Sequence, residues 1–288
     1  MKHTFKITII LVFLFLLTQL TGLGVISQYV TIESVVESKE VLRDGEIVIE
    51  EVLVEKQNWN ALPYDIERPQ VEERGSYVAI IVSILIATLL ALVLIKFEAK
   101  VLWKIWFFLS VWFTMSIAFN AFAIQLFAVL IALVFAFLKT FKDNVYVHNF
   151  TELFIYGGLA VIFIPILTLK TMFILLLLIS LYDMYAVWKS KHMIKMAKFQ
   201  TKLRLFAGLL VPYGKNKMAI LGGGDLGFPL LFTGVIFKMQ GWEALWIILG
   251  TTISLGLLLY FSQKNKFYPA MPFISLGCVF GYVLTLLF

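Results

Sequence analysis

The chain has 288 residues, 61% of them hydrophobic and 16% aromatic, with a mean hydropathy of +0.92 and a formal net charge of +6. These values exclude a soluble globular domain and place it among polytopic helical membrane proteins. A single cysteine, Cys278, excludes a disulfide framework and a Cys-rich metal site.

Apolar runs of spanning length lie at about 7–29, 76–95, 101–119, 121–138, 146–167, 171–189, 218–238, 243–262 and 269–288. They predict an all-α bundle of nine membrane-crossing helices forming one integral membrane domain over residues 1–288. The first run follows Lys2 and Lys6 as in a signal peptide, but its length of about 20 residues exceeds the usual apolar core of about 7–15, so a retained helix is expected. After it, residues 32–54 alternate loosely around Asp44-Gly45, as in Glu46-Ile47-Val48-Ile49, which predicts a β-hairpin. Two breaks separate the middle runs: Asn120 divides 101–138, and Pro165 with Lys170 divides 146–189. Cys278 fills space in the last apolar helix. Between the sixth and seventh runs, the 189–217 connection carries Met193, Ile194, Met196, Phe199 and Leu203 among basic residues, the pattern of an amphipathic helix on anionic lipid.

Lysines and arginines fix the expected orientation. One side of the nine spans collects Lys2, Lys6, Lys96, Lys100, Lys139, Lys142, Lys264 and Lys266, and the connection from Lys189 to Lys217 adds eight basic residues and no acid. The opposite side holds residues 31–75, with twelve of the eighteen acids. Counting basic residues puts the N-terminus in the cytoplasm and the C-terminus outside. The positive charge therefore reads as topology, and no nucleic-acid partner is expected.

Against this background two acids stand out, Asp183 in Leu181-Tyr182-Asp183 and Asp225 in Gly222-Gly223-Gly224-Asp225. An ionised Asp at the bilayer centre costs at least about 2.5–3.5 kcal/mol, so acids at such depth mark a proton relay, an ion path or a catalytic centre. The sixth run goes inward and ends near Lys189; the seventh goes outward from about Met218. At the helical rise both carboxylates would lie on the order of 9–11 Å below the same cytoplasmic face. Two carboxylates brought within a few ångströms cannot both ionise easily and share one proton. With that proton, the ionised member can deprotonate water while the other polarises a scissile carbonyl. The three glycines remove side chains beside Asp225 and admit close approach, either by a neighbouring helix or by a substrate backbone.

Tyr182-Asp183, Gly222-Gly223-Gly224-Asp225 and Pro269-Ala270-Met271-Pro272 follow one another on the sixth, seventh and ninth runs. In this order they resemble the motifs of the GXGD intramembrane aspartyl proteases, the presenilins and signal peptide peptidases, and among these the archaeal presenilin-like members. One departure is the family's Pro-Ala-Leu, which reads Pro-Ala-Met here, a change that conserves volume and apolarity. The resemblance implies peptide-bond hydrolysis inside membrane-spanning protein substrates, with Asp183 and Asp225 as the catalytic pair and neither metal nor cofactor. It also implies that Tyr182, Gly222, Gly223, Gly224, Pro269, Ala270 and Met271 line the substrate site near the cytoplasmic face. The expected partners are transmembrane-helix substrates and the surrounding lipid.

Other chemistries find less support. His148 and Glu152 stand four apart on the fifth run, but without a His-Glu-x-x-His pattern they read as a satisfied interfacial pair, not metal ligands. His3 and His192 sit in basic, solvated flanks. Neither a Gly-x-Ser-x-Gly nor a Walker pattern is present. The main alternative is a secondary transporter or a cation or proton channel using the same two acids. It lacks the internal repeat common in transporters, since the first half has no counterpart of the Gly-Gly-Gly-Asp segment. A prepilin peptidase would share Gly-x-Gly-Asp but neither nine helices nor the Pro269-Ala270 motif, and a non-catalytic membrane chaperone would tolerate Asn at both acids.

Overall fold

The computed structural model describes residues 5–43, 46–68, 100–190, 205–214, 217–263 and 268–287, together with individual positions between 78 and 97. It is mostly helical. In chain order come α1 (Phe5–Ser27), the strands β1 (Val30–Arg43) and β2 (Glu46–Trp59), then α2 (Lys100–Asn120), α3 (Gln125–Phe141), α4 (Val145–Phe163) and α5 (Leu169–Tyr185). A second hairpin, β3 (Gly208–Tyr213) and β4 (Lys217–Gly222), leads into α6 (Gly223–Gln240), α7 (Leu245–Phe261) and α8 (Met271–Thr285). Within the second apolar run, Val78, Val82, Leu85 and Leu89 are helical and exposed. Among the described residues, Phe5–Ser27, Lys100–Asn120, Val145–Ile166, Leu169–Lys189 and the two-helix stretch Gly223–Phe261 are long and apolar enough to cross a membrane, and Gln125–Phe141 and Met271–Thr285 are shorter apolar helices.

Local chemistry sets the helix ends. Helix α2 stops at Asn120 as expected. Asn144 caps α4 by accepting hydrogen bonds from the backbone N–H of Tyr146 (2.9 Å) and Val147 (3.3 Å). Pro165 sits in a single 3₁₀ turn, Ile164–Ile166, because it cannot continue the α-helical ladder. Thr168 then caps α5, its Oγ1 accepting from Thr171 N at 3.2 Å, so Lys170 lies inside the new helix and is not part of the break.

Helix α1 is a full member of the bundle. Leu11, Phe15, Leu23 and Ile26 are buried in one core with Leu226, Leu230 and Phe232 of α6 and Val161 of α4. Gln19 crosses to α6, its Nε2 donating to the Leu226 carbonyl at 2.9 Å. Glycines bring α7 and α8 together: a Cβ at Gly277 would stand 2.7 Å from the Gly250 carbonyl. The outward faces remain apolar, as at Phe13, Leu177 and Phe280, which are 59%, 61% and 55% exposed. Large apolar side chains left outside on several helices match a lipid solvent.

Three expectations need correction. The all-α class gives way to a mostly helical fold with two antiparallel hairpins. The first was expected and is longer than 32–54, pairing Val30 with Trp59 through Arg43 with Glu46, while its Asp44-Gly45 turn lies outside the described residues. The second replaces the start of the seventh expected helix: residues 218–222 form β4 and pair with β3 from Gly208↔Gly222 to Tyr213↔Lys217. Its alternation explains this, since Leu209, Val211, Ala219 and Leu221 are buried while Met218 and Ile220 are exposed. The amphipathic helix expected within 189–217 falls on residues 191–204, outside the described residues, as do His3 and His192. Helix α8 starts at Met271 with Pro272 in its first turn, two residues later than the expected opening at Pro269.

Candidate functional site

Asp225 is not buried part-way along a helix. Strand β4 carries the chain to Gly222, which is the N-cap of α6, and Asp225 is the third residue of that helix. From there its carboxylate reaches back toward the Gly222 N–H, the return contact of a capping box. A Cβ at Gly222 would stand 3.3 Å from Asp225 Oδ2, so the absent side chain makes room for the carboxylate itself. At Gly223 a Cβ would stand 2.7 Å from the Tyr156 hydroxyl, so this glycine serves helix packing. Gly224 is exposed, with only the Phe228 ring nearby at 3.7 Å. Of the two uses left open for the glycines, helix packing thus falls to Gly223, while Gly224 faces open space.

Asp183 lies buried near the end of α5, one turn before the helix loosens into a π turn over Ala186–Ser190. Its Oδ2 accepts from the Met271 N–H at 3.1 Å, and the Ala270 N–H also faces it. Met271 is the first residue of α8, so Asp183 satisfies one of the orphan N–H groups at that helix start. Both carboxylates therefore meet helix N-termini, α6 for Asp225 and α8 for Asp183, where the helix dipoles favour negative charge. They are close enough for their charges to act on one another. Ser180, one turn before Asp183, shares a 2.8 Å hydrogen bond with Ser275 and ties α5 to α8. Tyr182 is half-buried beside Asp183; Pro269 and Met271 are buried, and Ala270 half-buried, at the start of α8.

A family model described as signal-peptide peptidase, presenilin aspartyl protease matches residues 49–225, more than half of the chain and including both acids. The chain belongs to this family. It is an intramembrane aspartyl protease and a multi-pass membrane protein, and the transporter or channel reading gives way. Two solved structures of a presenilin family intramembrane aspartate protease, one in space group C222 and one in P2, share the fold. Each is 18% identical with a TM-score of 0.59; the alignments cover 95% of this chain and 94% of that one in the first case, and 96% of both in the second. No curated protein matches the chain.

Beneath the protease's second hairpin lies a polar cluster that the sequence showed only in part. His148 and Glu152 are a buried pair, His148 Nε2 lying 3.9 Å from Glu152 Oε1, and Lys139 joins them from α3, its Nζ 2.5 Å from Glu152 Oε1. Lys139 Nζ also donates to Thr151 Oγ1 at 3.0 Å. Glu152 Oε2 accepts from the Tyr156 hydroxyl and, at 2.9 Å, from the Gly208 N–H. His148 Nε2 lies 2.8 Å from the Gly208 carbonyl, which can only accept, so the hydrogen is assigned to Nε2 and Nδ1 faces Lys139 at 3.4 Å. Asn149 brackets Leu210, accepting from its N–H at 3.0 Å and donating to its carbonyl at 2.7 Å. Side chains of α4 thus occupy the outer edge of β3. Among the described residues no group of three or more His, Cys, Asp or Glu is arranged to hold a metal ion.

Gly208 is the pivot of this arrangement. Its φ of +134° is a backbone conformation L side chains rarely adopt, and a Cβ there would collide with the Leu221 carbonyl and stand 2.7 Å from the Phe206 ring. Gly208→Ala is expected to lower turnover about 10-fold or more and to reduce Tm, because the hairpin must deform to accept it. Wild-type turnover and Tm would show that β3 is not held as described.

Proposed function

We propose that this protease hydrolyses peptide bonds within membrane-spanning segments of protein substrates, with Asp183 and Asp225 as its catalytic pair. The observation that supports the reading is that two carboxylates from different helices each face a helix start, α8 for Asp183 and α6 for Asp225, within electrostatic reach of one another. With one proton between them, the ionised carboxylate removes a proton from water as the oxygen attacks the scissile carbonyl carbon. The protonated one hydrogen-bonds the carbonyl oxygen and stabilises the tetrahedral intermediate; proton transfer to the leaving nitrogen then breaks the C–N bond. No metal or cofactor takes part in this scheme.

A substrate helix hides its scissile carbonyl in its own hydrogen bonds and must unwind locally into an extended strand. Strand β4 suits such a guest. In an antiparallel ladder alternate residues turn both backbone groups outward. Gly208 and Leu210 turn theirs to α4, so their partners Gly222 and Ile220, and Met218 in the same register, turn theirs away from β3. A substrate strand added there runs toward Asp225 and passes Gly224, with Tyr182, Gly222, Gly223, Pro269, Ala270 and Met271 around it.

The distribution of basic residues supports nine spans in one domain over 1–288, with the N-terminus and the 190–217 connection cytoplasmic, and the acidic 31–75 segment and C-terminus outside. The test is purified protein incubated with a transmembrane peptide, the products identified by mass. Cuts inside the apolar segment are expected; folded protein that cuts only flanking residues would overturn the reading. A second expectation concerns pH. Activity requires one proton on the pair and fails when both acids are protonated or both ionised, so kcat/KM should be bell-shaped with its maximum on the acidic to neutral side. A flat profile from about pH 4 to 9 is the contrary outcome.

A further inference from the structure

The cluster beneath β3 takes no part in the bond-breaking chemistry, yet it is built at some cost. Lys139 and Glu152 have essentially no exposed side-chain surface. Buried ion pairs of this kind contribute little net stability over apolar residues of the same volume. What an apolar pair cannot supply is an acceptor. Glu152 Oε2 receives the Gly208 N–H and the Tyr156 hydroxyl, and without it both donors would be buried unpaired.

Those two donors flank the turn that delivers Asp225. Gly208 pairs with Gly222 across the ladder, and its neighbour Ala207 accepts the Gly223 N–H at 3.1 Å. Tyr156 stands against Gly223 and within electrostatic reach of Asp225. His148, Glu152 and Tyr156 recur every four residues, so one face of α4 addresses both sides of the turn. We propose that Glu152, neutralised by Lys139, is a positioning residue for proteolysis: it fastens Gly208 and Tyr156 and thereby sets where Gly222, Gly223 and Asp225 stand. This rests on Asp225 being catalytic as assigned above. Placement errors of about 1 Å can cost on the order of 100-fold in rate, so the fastening acts on kcat.

Two double variants of the full chain separate positioning from charge burial. Lys139→Met with Glu152→Gln removes both charges and keeps an acceptor; Lys139→Met with Glu152→Leu removes both charges and the acceptor. The first is expected to keep kcat for a transmembrane peptide within about 3-fold of wild type. The second should lose about 100-fold in kcat with KM little changed, and its Gly208 amide should exchange hydrogen faster. Equal kcat in the two doubles, a loss confined to KM, or unchanged Gly208 exchange would overturn the proposal. Should the second double fail to fold, Tyr156→Phe removes one hydroxyl and is expected to lower kcat about 10-fold at unchanged KM, wild-type kcat being the contrary result. Asp225→Asn in the same assay keeps the two readings apart. Retained turnover there sinks the catalytic assignment, whereas Gly208 exchange tests the fastening by itself.

Discussion

Asp183→Ala and Asp225→Ala are each expected to lower cleavage of a transmembrane peptide by about 10⁴-fold or more, because a pair that shares one proton acts as a unit and loses nearly everything with either member. Protein from both variants should remain folded. Each carboxylate carries a desolvation cost that disappears on truncation and offsets the loss of its backbone contact, so Tm is expected to change little. Asp183→Ala leaves the Met271 N–H without its acceptor. For that reason Asp183→Asn, whose amide oxygen can still accept, serves as the structural control. Loss of turnover in both Asp183 variants then reports on chemistry and not on the start of α8. Substantial cleavage by either Ala variant would sink the two-aspartate mechanism.

How much of this site the sequence disclosed depends on the kind of interaction. The acids were legible because a carboxylate in an apolar run is costly and has few explanations, and the break at Asn120 was legible because composition punctuates there. The β3–β4 hairpin was missed. A run such as Met218-Ala219-Ile220-Leu221 is apolar throughout and reads equally as the start of a spanning helix. The signals that could have separated the two were the turn residues Gly214 and Asn216 and the strand-like spacing on either side. The strand also changes the placement of Asp225, which enters at the first turn of α6 behind an extended strand and not two turns into a helix. Lys139 was hidden for another reason. Its charge matched the topological pattern so well that burial against Glu152, thirteen residues on, left no trace in spacing. Likewise the partnership of Gln19 with Leu226 spans the chain and follows no local rule.

Ile220→Pro is expected to lower kcat/KM for transmembrane peptides about 10-fold to 100-fold while leaving the β3–β4 hairpin intact. The residue occupies the register in which β4 turns its N–H and carbonyl away from β3, so proline removes a donor from the outer edge alone. The hairpin already tolerates proline in that register, for Pro212 stands opposite Met218. A substrate strand pairing with β4 would lose the Ile220 N–H and keep its own carbonyl unpaired in a water-poor site, a penalty of about 1–3 kcal/mol. Ala219→Pro is the contrasting variant, since Ala219 faces Val211 in the inward register and proline there breaks the ladder itself. Hairpin integrity is read from hydrogen exchange over 208–213, which should stay protected in Ile220→Pro and not in Ala219→Pro. Wild-type kcat/KM in Ile220→Pro would mean that substrate does not pair with β4, and the route by which an unwound segment reaches Asp225 would have to be sought on the α8 side, at Pro269, Ala270 and Met271.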